Sequence, residues 1–170
     1  MDYNKKVLKS KALSEEEYDE EVHNEAEESE EEYSESSERS AEMQKVDYMT
    51  GCVVEELMNA ATSFHKLHLK VTGAGSFAQH KALNELYAAL PDLADSIAEG
   101  YQGACEMLLS YEDKGSVILE SIDDAVEYLR QLKIMVNDLQ EIMHHTEIVN
   151  LLDTVKDAIN AAKYKLIFLK

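Results

Sequence analysis

The chain has 170 residues, of which 45% are hydrophobic, and its formal net charge is −19. That length accommodates one domain plus an appendage. The acidic balance argues against strong DNA binding, and no apolar run reaches the roughly 18 residues of a membrane span.

Residues 1–13 are mildly basic through Lys5, Lys6, Lys9 and Lys11. Residues 14–43 hold fifteen Asp or Glu against the single Arg39. Such a segment buries too little apolar surface to offset its ordering entropy, so residues 1–43 are expected to form a disordered acidic arm with a short basic tip. A solvating tail is the plainest role. The sharper ones are docking of residues 14–43 to a basic protein partner, weak collection of metal ions, and mimicry of nucleic-acid charge. The opening residues do not have the pattern of a secretory leader. Cys52 and Cys105 lack metal-ligand spacing and are expected to be reduced and buried, in keeping with a cytoplasmic location.

A first long helix is expected over about 45–70, with Val53, Val54, Leu57, Met58, Ala61, Phe64 and Leu67 as its apolar stripe. Gly51 is expected to mark an early irregularity. His68 continues the stripe at the helix end. His65, one turn earlier, reads as a surface residue or one that supports a ligand. The loop 72–76, with Gly73 and Gly75, suits a tight turn with positive φ. Its GxG carries little weight for nucleotide binding, because no strand precedes it.

A second helix is expected from residue 76 or 77 to about 101 or beyond, on Leu83, Leu86, Leu90, Leu93, Ile97 and Tyr101. Pro91 removes one backbone hydrogen bond there and should bend the axis. His80, Asn84 and Tyr87 share nearly one face with Asp95 and Glu99. Two carboxylates one turn apart repel each other and gain from a cation between them. Asp92 either joins a wider site or faces water. His80 and Asp95 lie roughly 22 Å apart along the helix axis, too far to share an ion within one chain. An antiparallel second copy across a two-fold axis would bring them together. A site made of these residues is therefore intersubunit and occurs in pairs.

Residues 102–120 read as a helical continuation to Leu109, a turn at 113–115 and a short apolar stretch. A third helix over 121–144 carries Ile122, Val126, Leu129, Leu132, Val136, Leu139 and Met143, with Ser121 and Asp124 as a capping box. His144 and His145 are expected to interact with its C-terminus rather than to bind metal. A fourth helix runs from 146 or 147 to 169 on Ile148, Leu151, Leu152, Val155, Ile159, Ala162, Leu166 and Leu169.

The ungapped stretch from His68 to Glu99 resembles the ferroxidase region of the Dps family, the mini-ferritins. The likeness rests on His68, Gly73, Phe77, His80, Tyr87, Asp95 and the triplet Ile97-Ala98-Glu99. It implies that His68 and His80 bind metal from one chain and Asp95 and Glu99 from its two-fold partner. His65, Asn84 and Asp92 are the candidates to surround them. The likeness also implies iron as the metal, oxidation of Fe(II) by peroxide or dioxygen, storage of the ferric product, and a dodecamer built from two-fold dimers. Mixed imidazole and carboxylate ligands would accept zinc or manganese as well. Leu69 stands where the family has Trp, and Gly100 where a basic residue is common. The family also places a short helix between the second and third long helices, which residues 102–120 would supply.

The expected fold is all-α, a ferritin-like four-helix bundle over 44–170 with a short helix or loop between its second and third helices. Other bundles share the periodicity; the ligand spacing alone separates this family from them. The leading functional expectation is a ferroxidase and iron-sequestering protein. The alternative is a structural or interaction protein that keeps the bundle. Compact sequences of this look also occur in bacteriophages, where the location would be the host cytoplasm or the virion. Many Dps proteins bind DNA through basic termini, but here the acidic block cancels the four lysines, so strong DNA binding is not expected.

Overall fold

The computed structural model of the chain describes residues 39–169. Most of the expected acidic arm therefore lies outside the described residues. The described part contains four helices and no strand: α1 (Ala41–His68), α2 (Ser76–Cys105), α3 (Ile122–Ile142) and α4 (Thr146–Phe168). The first helix starts before the expected residue 45, and helix formation reaches into the segment assigned to the arm.

The apolar stripes meet in one core. Val53, Val54, Leu57 and Phe64 from α1 join Leu83, Leu90 and Ile97 from α2, Leu129 and Leu139 from α3, and Leu152 and Ile159 from α4. Met58 does not belong to it: it is exposed on α1, and Leu169, the last stripe residue expected on α4, is exposed too. Cys52 and Cys105 are half-buried thiols outside any disulfide rather than core residues.

Side-chain contacts fix the helix directions. The α1 end meets the α2 start where the rings of His68 and His80 pack, and the α1 start meets the α2 end where Tyr101 donates to Asp47. These helices are antiparallel. Tyr128 packs on Phe64 and donates to Glu56, so α3 lies against α1. Lys133 donates to Asn160 and Gln140 to Asp153, which sets α3 antiparallel to α4. Lys165 pairs with Glu85, while Ile148 packs on Gly100, which sets α4 antiparallel to α2. Consequently α2 and α3 run in the same direction, and the chain between them must travel back along the bundle.

That return is residues 106–121, which run along α1 in the α1 direction. Tyr48 donates to Glu112 at 3.0 Å. Glu55 accepts the N–H groups of Glu112 and Lys114 at 2.9 and 2.5 Å. Ser63 accepts the N–H of Val117 at 3.0 Å, and Lys66 donates to Ser116 at 2.9 Å. Leu109 and Leu119 anchor the strap in the core. The expected continuation of the second helix reaches Cys105 rather than Leu109, and of the expected short helix or loop the structure has the loop. α2 stops at Cys105, where Glu106 takes the left-handed conformation with φ 51° and donates to Gln102. The N–H groups of Glu112, Lys114 and Val117 bond to α1 side chains, which gives these donors partners without helical pairing.

Gly51 is not an irregularity: it sits within an unbroken α1, where the strap passes so close that a Cβ would overlap the carbonyl oxygen of Ser110. Pro91 likewise lies inside an unbroken α2. The turn glycines Gly73 and Gly75 have φ of 87° and 75°, the left-handed region that the tight turn requires. Ser121 and Asp124 form the expected capping box, with Asp124 N–H donating to the Ser121 hydroxyl at 3.1 Å and Ser121 N–H donating to the Asp124 carboxylate at 2.9 Å. His144 and His145 lie in the connection after α3 rather than in its last turn; His145 is the residue that precedes α4.

A candidate metal centre in two halves

The α1–α2 turn folds His80 back over His68. Their ring centroids are 3.7 Å apart, and Nδ1 of His80 lies 3.3 Å from the His68 carbonyl oxygen. A protonated Nδ1 donates in this contact and leaves Nε2 of His80 as a free ligand atom. His80 itself is exposed.

His68 is only 7% exposed, and neither of its ring nitrogens has a hydrogen-bond partner. Burial pushes its pKa below the ordinary histidine value, and the nearby charges of His80 and His65 push it the same way. Both effects favour the neutral ring, the form that binds metal. Buried polar atoms are rarely left unpaired, and an unmodified structural histidine would normally find a carbonyl or hydroxyl.

His65 stacks on Tyr87 at 4.1 Å between ring centroids, and Tyr87 turns its edge to His68 at 5.2 Å. Tyr87 donates to Asn84 at 2.8 Å. His65 and Tyr87 therefore pack beside His68, and Asn84 joins them through the Tyr87 hydroxyl. The sequence reading placed His65 and Asn84 near the site but did not foresee the stack.

Asp95 and Glu99, the expected carboxylate ligands, lie further along α2. Both are exposed on α2, as is Asp92. The continuous helix leaves Asp95 four turns from His80, roughly 22 Å along the axis. Among the described residues no three His, Cys, Asp or Glu side chains of one chain are grouped to hold a metal ion. One chain thus holds the paired imidazoles and the paired carboxylates apart from each other. Tyr111 of the strap lies near Asp95: burial raises its phenol pKa, and the Asp95 charge adds to the rise. Nothing in the sequence pointed to Tyr111, because its position depends on the path of the strap.

A cleft of 470 Å³ between α1 and α3, lined by Met49, Cys52, Tyr128, Leu132 and Met135 among others, includes none of these residues. No helix among the described residues is long and apolar enough to cross a membrane. No curated protein and no solved structure matches the chain. The profile of one protein family does, over residues 68–166, from the first histidine of the imidazole half almost to the end of α4, and the chain belongs to that family, DUF5856, a family of unknown function.

Proposed function

We propose that this DUF5856 member is a Dps-like protein that binds Fe(II) between the two halves of neighbouring chains and oxidises it. His68 and His80 are the imidazole ligands, and Asp95 and Glu99 of a two-fold partner are the carboxylate ligands. The observation that carries the reading is His68, a buried ring with both nitrogens unpartnered beside a second imidazole. A metal ion would satisfy one of those nitrogens, and the donor set suits Fe(II), zinc or manganese. The helix directions add support: one long return between the second and third helices is the connection that ferritin-like bundles use.

In this reading Fe(II) is the substrate. It gives electrons to peroxide or dioxygen, and the ferric product is retained by an assembly of two-fold dimers, a dodecamer by the resemblance. The paired carboxylates offset the charge that the iron gains on oxidation. The deep placement of His68 limits water at the imidazole half.

The test is anaerobic loading with Fe(II) followed by hydrogen peroxide. Ferric absorbance is followed for the native chain and for an Asp95→Ala, Glu99→Ala variant, with particle mass measured on the same samples. Rapid oxidation that needs both carboxylates, in a particle of many chains, is expected. Oxidation at the background rate in both proteins overturns the reading and leaves the bundle as a scaffold.

A further inference from the structure

At the other end of the bundle, three groups that play no part in the metal site line up. Cys105 is the last residue of α2, His145 directly precedes α4, and Glu147 lies in the first turn of α4. The Cys105 sulfur is 3.5 Å from Nε2 of His145, and Nδ1 of the same ring is 3.7 Å from a carboxylate oxygen of Glu147. The two ring nitrogens thus face different partners. The carboxylate favours a proton on Nδ1, which leaves Nε2 to accept the proton of the thiol.

The thiol has a second neighbour, the hydroxyl of Tyr101. Tyr101 turns its ring edge-on to His145, 5.9 Å away at 89°. Its hydroxyl donates to Asp47 at 2.6 Å, and burial together with Asp47 and Cys105 raises its pKa, so it stays protonated. His144 points elsewhere, 3.8 Å from Glu42. Cys52 is also a half-buried thiol, but its neighbour is the phenol of Tyr48 rather than an imidazole. It serves as an internal control.

We propose that Cys105 is a nucleophilic thiol, activated by His145, that reacts with hydroperoxides. A half-buried sulfur admits a small electrophile, and a peroxide needs both a thiolate and a nearby proton donor. The Cys105 proton moves to Nε2 of His145. The thiolate attacks the hydroxyl oxygen of the peroxide; a sulfur–oxygen bond forms as the oxygen–oxygen bond breaks. The sulfur is oxidised to a sulfenic acid and the peroxide is reduced. The leaving hydroxide or alkoxide takes the proton from Nε2 and departs as water or alcohol, and His145 is neutral again. None of the proposed metal ligands enters this step, so the two readings stand or fall separately.

The experiment uses the full chain, freed of metal with a chelator and treated with hydrogen peroxide in the presence of dimedone. Mass spectrometry follows the adduct on each cysteine peptide over time. Cys105 is expected to react at least about tenfold faster than Cys52, and His145→Gln to slow Cys105 by about tenfold or more while circular dichroism shows unchanged helicity. Equal rates at the two cysteines overturn the proposal, as does a Cys105 rate that His145→Gln leaves unchanged. Should His145→Gln lose helicity, the exposed Glu147→Gln decides: a slower Cys105 supports the dyad and an unchanged one overturns it.

Discussion

The rings of His68 and His80 pack at 3.7 Å, and the buried partner of the pair, His68, has no hydrogen bond at either nitrogen. An unpaired buried imidazole costs stability, roughly 1–3 kcal/mol, unless a ligand compensates it. His68→Leu is therefore expected to leave the metal-free protein as stable as the parent, within about 1 kcal/mol, or more stable. The parent should gain stability with Zn(II) as a redox-silent probe, by about 2.7 kcal/mol at a hundredfold excess over Kd, and the variant should gain none. Thermal unfolding with and without the metal checks both. A large loss in the metal-free variant, with no metal shift in the parent, would make His68 a packing residue.

Gly51 shows how close the return strap lies to α1. Alanine would improve helix propensity by about 1 kcal/mol, yet its Cβ would overlap the Ser110 carbonyl, a backbone atom that cannot rotate away. Overpacking of this kind costs about 1–3 kcal/mol. Gly51→Ala should therefore destabilise the protein despite its helical position, as read by urea unfolding. Faster proteolytic cleavage within residues 106–121 should accompany the loss.

Glu55 holds the same strap through charge. Its carboxyl is kept below the ordinary range first by the N–H of Lys114 and then by that of Glu112. The unfolded chain binds a proton to Glu55 more readily than the folded one. The clasp therefore contributes its full stability above the usual glutamate pKa of about 4.3 and loses it as pH falls through the lower folded value. The amide resonances of Glu112 and Lys114 should shift together with a midpoint below that usual value. Glu55→Gln should abolish the titration.

Ser121→Ala removes one of the two reciprocal bonds at the start of α3. A loss of about 1 kcal/mol is expected in equilibrium unfolding. Asp124→Ala should cost a similar amount, and the double variant less than the sum, because the two residues cap the same turn.

Much of this protein was legible from residue order alone. Periodicity located all four helices to within a few residues, since Leu and Ile at intervals of three and four can share a buried face in no other regular structure. Gly73 and Gly75 announced the turn, and Ser121 with Asp124 the cap, because these are local backbone requirements. The pairing of His68 with His80 followed from the same turn. So did the separation of the imidazole half from Asp95 and Glu99, which the helical rise fixes.

Contacts between residues distant in sequence decided the rest. Residues 102–109 continue a helical pattern in sequence, yet the helix ends at Cys105 and the strap that follows is not helical. Its backbone instead bonds to Glu55 and Ser63, side chains some fifty positions away whose reach no local signal reveals. For the same reason Gly51 looked like a flaw in α1 when it is the point of closest approach. The stack of His65 on Tyr87, the placement of Tyr111 near Asp95, and the line from Cys105 through His145 to Glu147 each join separate elements. Short-range preferences determine where helices begin and end; which side chains meet, at both ends of this bundle, is determined by how those helices pack.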